Sequence, residues 1–202
     1  AAHLLWPGYD GALDSGEGEP DSGPAVAVVG SVYAPPSLGF LDRPEFVRRC
    51  AARGLSVVVH GPPEWERADL PRGTFRGWLP ERDNGRVNRS ARVVLSSHVR
   101  RSRHYLNART FQVMGAGGVL LSDRQAGMGE GPAAFLREGE TFAAYSSLEE
   151  AVDAAERLAR APAALRADLR AAAREAVLRA HRYTHRAEEL DGALLGIRGG
   201  WR

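Results

Sequence analysis

Three groups of residues in this chain have the types and spacing for anion chemistry. The first is Asn107-Ala108-Arg109-Thr110-Phe111-Gln112, which places two amides and a guanidinium within six positions. An arginine offers paired donors to phosphate oxygens, and a helix N-terminus adds the positive end of its dipole. The second is Gly30-Ser31, at the end of an apolar run, where backbone N–H groups can face a phosphate. The third is the basic run Arg100-Arg101-Ser102-Arg103-His104, just ahead of the first group. Such a run is by itself a solvated face. Its place between a strand end and a helix start favours an anion site that includes Arg109. His60-Gly61 closes another apolar run, and His60 is either a contact to a base or phosphate or a polar strand end. Trp65 and Trp78 could stack on a base or fill the core, and the core reading is preferred.

Much chemistry is excluded. All 27 Lys+Arg residues are arginine, so no phosphate site can use a lysine and a P-loop is impossible. There is no GxGxxG, HExxH or GxSxG, and no Asp-x-Asp pair to hold a divalent ion against a diphosphate. His181 and His185 stand four apart, a spacing that can hold zinc. No third ligand is near, and a surface or packing role is preferred. Cys50 is the only cysteine, which rules out disulfides and cysteine-based zinc sites. No run approaches the roughly 20 apolar residues of a membrane helix, and the first residues do not read as a signal peptide. A cytoplasmic location is expected. A formal charge of +2 is too small to argue for nucleic acid. The chain starts at Ala1 without a Met and reads as mid-chain sequence.

These residues need a scaffold, and the pattern supplies one. Residues 1–24 carry little periodicity, with an acidic Gly/Ser/Pro linker at 14–24. Ala25–Val29 and Leu55–His60 read as buried strands around a helix over 41–53, with Asp42 as its N-cap and Gly54 closing it. This is a βαβ unit with a right-handed crossover. Further strands are predicted at 74–79, 92–97, 119–121 and 141–145. Helices are predicted at 82–89, 148–160 with Ser147 and Glu150 as a capping box, from 162 to about 182, and at 188–195. Phe135 is a possible anchor in the loop over 130–140. Between strands 92–97 and 119–121, Phe111 and Met114 share a helix face and Gly115, Gly117 and Gly118 break the helix. Alternating strands and helices predict an α/β, doubly wound parallel sheet, whose ligands bind at the carboxyl ends of the strands. The domain division expected is a linker at 1–24, a Rossmann-like domain at 25–186, and a C-terminal helix and tail at 187–202.

The stretch Asn107-Ala108-Arg109-Thr110-Phe111-Gln112-Val113-Met114-Gly115-Ala116-Gly117-Gly118-Val119-Leu120-Leu121-Ser122-Asp123 resembles the "N-x-R-x-F-E-x-M-x-x-G-G-x-L-L-x-D" core of family 1-type glycosyltransferases related to the spore-maturation protein CgeB. Gly139 and Tyr145 resemble the ends of that family's "G-x-E-x-x-x-Y", with Thr141 at its glutamate and Glu140 one place earlier. His181, Tyr183 and Arg186 resemble its "H-x-Y-x-x-R". Val28-Val29-Gly30-Ser31-Val32-Tyr33 resembles its "fvGs-x-y" opening, and Leu4-Leu5-Trp6-Pro7 its interdomain linker.

The resemblance implies the C-terminal, donor-binding half of a GT-B glycosyltransferase: a Rossmann-like three-layer α/β/α domain. It implies a nucleotide-sugar donor, no cofactor or metal, and an N-terminal acceptor domain as partner. The implied donor site comprises Gly30, Ser31, His60, Gly61, His104, Asn107, Arg109, Gln112, Gly117, Gly118 and Asp123. Gly117 and Gly118 would let the donor approach closely. Arg109 would stabilise the leaving nucleotide, and Glu140 is the acid nearest a family position. In broader retaining GT-B families two glutamates stand eight apart, and Gln112 and His104 occupy those positions here. Gln112 can still hydrogen-bond a ribose hydroxyl. The isolated half is expected to lack turnover. Two other readings are a non-catalytic GT-B-like nucleotide- or partner-binding module, and an unrelated α/β regulatory domain. A Rossmann strand order of 3-2-1-4-5-6 would weigh against the last.

Overall fold

The structure, a computed structural model, describes residues 7–12, 18–32, 41–98 and 106–199. Five strands, β1 (Val26–Val29), β2 (Val57–His60), β3 (Val93–Ser96), β4 (Leu120–Asp123) and β5 (Ala143–Tyr145), form one sheet in the order β2-β1-β3-β4-β5. Every pairing is parallel, with Val26 opposite both Val57 and Val93. Such strands read as continuous apolar runs because both faces are covered. Six helices lie among the described residues, α1 (Arg43–Ala52), α2 (Asn84–Ser90), α3 (Ala108–Ala116), α4 (Leu148–Arg160), α5 (Ala163–Ala180) and α6 (Tyr183–Gly199); α1 and α4 cover one face, α3 and α5 the other.

The pleat divides the core in two. Val26, Val28, Val93, Leu95 and Leu121 face α1 and α4, packing on Phe46, Val47, Val152 and Ala155. Ala27, Val94 and Leu120 face the other way, onto Phe111, Val113 and Met114 of α3 and Ala173 and Val177 of α5. The result is the expected three-layer, doubly wound α/β/α fold.

The strand predicted over 74–79 shrinks to one parallel bridge, Phe75 to Val59 on β2. Gly73 and Gly77 bracket it with φ of +79° and +78°, and these turns end the pairing. Counting that bridge as a strand, the spatial order in chain numbering is 3-2-1-4-5-6, the Rossmann order. This weighs against the unrelated regulatory fold.

Caps fix the helix starts. Asp42 accepts from Glu45 N at 2.9 Å, Asn107 from Thr110 N at 3.1 Å, and Ser147 from Glu150 N at 3.1 Å. The Glu150 carboxylate accepts from Ser146 N rather than from the Ser147 amide of a capping box. The last helix begins at Tyr183, five residues before its predicted start. Phe135 is buried beside Phe111, their centroids 5.7 Å apart.

The stretch before β1 is docked on the body. Tyr9 bridges to Arg182, and Asp21 receives Arg166 at 2.7 Å and Arg170. Burial raises the Asp21 pKa, and the two guanidinium hydrogen bonds outweigh it, lowering it to about 2.

Candidate functional site

In a sheet of this order the chain leaves β1 in one direction and β3 in the other, which opens a crevice at their carboxyl ends. A cleft lies there in two lobes that share Val29, Gly30, Arg109 and Gln112. The near lobe, about 310 Å³, is polar: Ser31, Arg43, Ser96, Ser97 and Asn107 add to the shared residues. The far lobe, about 420 Å³, is closed by His60, Gly61, Trp78, Leu79, Glu81 and Asn84.

The near lobe is built from first turns of helices. In a parallel sheet each crossover helix starts where its strand ends, so its free N–H groups face the cleft. Asn107 caps α3 and also donates through Nδ2 to Ser96 Oγ at 3.3 Å and the Ser97 carbonyl at 3.4 Å. No acidic residue stands in the first turn of α3. Arg109, in that turn, donates to Asn84 Oδ1 at 3.1 Å, and Gln112 follows one turn on.

Arg43 opens α1. The residue is 8% exposed, and its guanidinium donates to Ser97 Oγ at 2.9 Å, the Ser97 carbonyl at 3.1 Å and the Ser31 carbonyl at 2.6 Å. It therefore ties the β1 loop to the end of β3 while lining the lobe. The lobe thus combines two guanidinium groups with a capped helix N-terminus, the donor set an anion requires.

At the junction Gly30 takes φ +143°, which L side chains rarely adopt, and a Cβ there would meet Arg43 Nη1 at 3.2 Å. Trp65 is buried, and its Nε1–H donates to the Gly30 carbonyl at 2.7 Å. Gly61 fits beneath this bond: a Cβ there would lie 2.6 Å from Trp65 Nε1. His60 has its Nδ1 buried without a hydrogen bond. Burial, with Arg76 and Arg86 nearby, holds its pKa below the ordinary histidine value, against a hydrogen bond with the Gly77 backbone. Trp78, preferred as core, is instead 75% exposed at the cleft mouth. It follows Gly77 in the turn that ends the Phe75 bridge, so no sheet layer covers it.

The structure brings Gly30, Ser31, His60, Gly61, Asn107, Arg109 and Gln112 together around one cleft. It separates the others. Gly117 and Gly118 do not face this cleft. Helix α3 runs back from the carboxyl edge, and nine residues at about 1.5 Å each carry its far end some 13 Å away. Gly117 is its left-handed C-cap at φ +80°. Gly118 is needed because a Cβ would fall 2.6 Å from the Asn88 carbonyl oxygen. Their role is packing at the amino edge.

Asp123 ends β4 but is buried. It accepts from His98 N at 2.9 Å, from His98 Nδ1 at 2.8 Å and from Gln125, and it joins the ends of β3 and β4 rather than lining either lobe. Glu140 sits in an exposed turn, ion-paired to Arg137 at 2.6 Å and away from the cleft. Thr141, at the family's glutamate, is buried and donates to the Phe135 carbonyl at 2.9 Å. His104 and the basic run 100–103 lie outside the described residues.

Other motif residues hold the fold. Tyr145 donates to the Ser96 carbonyl at 3.2 Å and buttresses the end of β3. His181 stacks on Phe135, with centroids 4.1 Å apart, and accepts from Arg186. Its carbonyl takes the Tyr9 amide at 2.8 Å, and Arg186 reaches the Pro7 carbonyl at 3.4 Å. His185 Nδ1 accepts from Arg182 N at 3.1 Å. The His181/His185 pair is thus engaged in packing, and among the described residues no cluster of three metal-binding side chains exists.

Sequence reading missed Arg43, Glu81 and Asn84. Arg43 had one signal: an arginine at the first position of a helix following β1 must begin beside the carboxyl edge. Glu81 and Asn84 had none, because their place depends on where the chain runs after the Phe75 bridge.

The chain resembles solved structures over most of its length at low identity. Sucrose-phosphate synthase from Thermosynechococcus elongatus superposes with a TM-score of 0.68 at 16% identity, over 98% of this chain and 53% of that one. The α,α-trehalose 6-phosphate synthase of Burkholderia multivorans gives 0.63 at 16% identity, over 95% and 45%. Anabaena HepE in complex with UDP gives 0.61 at 11% identity, over 85% and 48%. This chain therefore spans about half the length of these structures, and the likeness establishes a GT-B-type fold. No curated protein sequence matches. The Glycosyl transferase-like family matches residues 43–192, well over half of the sequence and every crossover element from α1 onward, so the chain belongs to that glycosyltransferase family.

Proposed function

We propose that this chain is the donor-binding half of a CgeB-like glycosyltransferase. It takes a nucleotide-diphosphate sugar and presents it to an acceptor held by a facing N-terminal domain. The observation that carries this is the polar near lobe, where Arg43, Arg109 and the capped start of α3 converge at the sheet's switch point. The diphosphate lies there. The ribose sits at the junction against Gln112, and the base enters the far lobe. HepE, with a comparable fold, was solved with UDP.

The chemistry follows from this layout. As the glycosidic bond to the diphosphate breaks, negative charge grows on the leaving phosphate. Arg109, Arg43 and the α3 N–H groups are preorganised to receive it. This makes a bound metal dispensable. Gln112 offers the ribose hydroxyls an amide that both donates and accepts. The chain alone binds donor without turnover, because acceptor and donor must be brought together across the cleft.

Titration calorimetry of the chain with UDP, GDP and ADP tests the reading. At least one binds, and Arg109→Ala weakens it by roughly 10–100-fold, the worth of about 1.5–3 kcal/mol for a charge-assisted bond. Absence of heat with all three refutes it. Gln112 at a glutamate position and the surface placement of Glu140 favour one second reading, a non-catalytic nucleotide-binding module. Sugar transfer or donor hydrolysis by a protein containing both halves removes that alternative.

A further inference from the structure

We propose that the far lobe selects a guanine nucleotide, with Trp78 as the stacking platform for the base and the Glu81 carboxylate as the acceptor that reads its edge. This rests on the nucleotide-binding reading above and adds the class of base.

The order of groups along the cleft places the base. Phosphate donors occupy the near lobe, and Gln112 belongs to both lobes. Whatever extends past Gln112 enters the space bounded by Trp78, Leu79 and Glu81. Trp78 leaves three quarters of its surface in solvent. A base laid on that indole removes apolar area from water on both partners, and such stacking strengthens binding whatever the base.

The polar equipment of the lobe decides which base. Glu81 begins the single 3-10 turn Glu81–Asp83 and is exposed at the cleft. Its carboxylate has no hydrogen-bond or ion-pair partner among the described residues. Asn84 already accepts from Arg109 through Oδ1. A carboxylate only accepts. Guanine presents N1–H and the exocyclic N2–H side by side, spaced for both oxygens of one carboxylate in a charge-assisted pair. Uracil presents a single N–H flanked by two carbonyl oxygens, which a carboxylate repels. Adenine sets one amino group beside an acceptor nitrogen, and cytosine does the same. The larger purine also covers more of the indole.

Glu81 has a competing use, accepting from a ribose hydroxyl, and the two uses predict different results. The chain is titrated calorimetrically with GDP, ADP, CDP and UDP, first as wild type and then as Glu81→Gln and Trp78→Ala. GDP is expected to bind about tenfold or more tightly than UDP, the discrimination of one bidentate base contact. In Glu81→Gln most of the GDP-to-UDP preference is lost, leaving only what the larger purine gains by stacking, because the amide turns a donor toward the guanine donors. Trp78→Ala weakens GDP by about tenfold. Both positions are exposed, so the variants fold, and unchanged circular dichroism confirms it.

UDP binding as tight as GDP overturns the proposal. So does an equal loss for all four diphosphates in Glu81→Gln, which assigns the carboxylate to the ribose they share. Binding without guanine preference leaves the nucleotide reading standing, whereas no binding of any diphosphate removes both.

Discussion

Replacing Gly115 by alanine tests how the segment before β1 is seated on the helix that forms the cleft wall. In a solvent-facing helix the change would stabilise by about 1 kcal/mol, since glycine is a poor helix former. Here Tyr9, 4% exposed, packs its ring against Gly115. A Cβ would collide with it, standing 2.7 Å from even the third-nearest ring carbon. Tyr9 cannot swing away easily. Its amide donates to the His181 carbonyl at 2.8 Å, and its carbonyl accepts from Tyr183 N at 3.2 Å. The overpacking cost therefore stands at the upper end of the usual range, about 3 kcal/mol. The net expectation is a loss of about 2 kcal/mol. In a Tyr9→Ala background the ring is gone, and the same Gly115→Ala change should stabilise by about 1 kcal/mol. The sign reverses, and the coupling is about 3 kcal/mol. Urea denaturation of the wild type, the two single variants and the double variant measures it, provided the m-values agree. A Gly115→Ala protein more stable than wild type, or the same change in both backgrounds, refutes the packing argument.

Three further expectations are simpler. Asn107→Ala removes the cap of α3 and costs about 1 kcal/mol. A shift in denaturation midpoint reads it, and no shift means that the Asn107 contacts to Thr110, Ser96 and Ser97 carry no net stability. His181 is lowered to about 4 by burial, with the Arg186 and His185 charges adding to it. The unfolded chain takes up that proton near pH 6.5, while the folded protein refuses it until about pH 4, so stability falls as pH drops across this window. His181→Gln should flatten that slope, and a wild-type slope in the variant counts against the assignment. Burial pushes the Cys50 thiol up to about 12. Ellman's reagent at pH 8 should therefore find no reactive thiol in the folded protein and one in urea.

What the sequence made legible was local. Asp42, Asn107 and Ser147 announce helix starts because a cap acts within three residues. The apolar runs 25–29, 92–97 and 119–121 announce buried parallel strands because both of their faces are covered. What it hid was long-range. Arg43 reaches Ser97, 54 positions away, through side-chain bonds that leave no periodic trace. For Trp78 the core reading is preferred over stacking on a base, but Gly73 and Gly77 end its strand after one bridge and leave it in solvent. The expectation that Gly117 and Gly118 meet the donor overlooks the direction of their helix. A helix that starts at the carboxyl edge of a parallel sheet must end at the amino edge, so the end of α3 could not line the same cleft as its start.

That direction also explains why one short helix carries so much of the motif by which the chain resembles CgeB-like proteins. Its cap and first two turns supply Asn107, Arg109 and Gln112 to the cleft. Its middle packs Phe111, Val113 and Met114 into the core, all fully buried. Its last turn offers Gly115 to the Tyr9 ring and its carbonyls to Arg174, which donates to the Gly115 oxygen at 3.2 Å. The seat of Tyr9 is held in turn by the buried His181–Arg186 pair. The residues resembling the family's C-terminal "H-x-Y-x-x-R" segment therefore act on the far end of the helix whose near end forms the cleft wall. A helix of nine residues packed at interior density transmits displacement along its axis rather than absorbing it. Substitutions at Tyr9, Gly115, His181 or Arg186 should accordingly change, in calorimetric titration, the affinity for the nucleotide proposed to occupy the cleft as well as stability, although none of these residues lines the cleft.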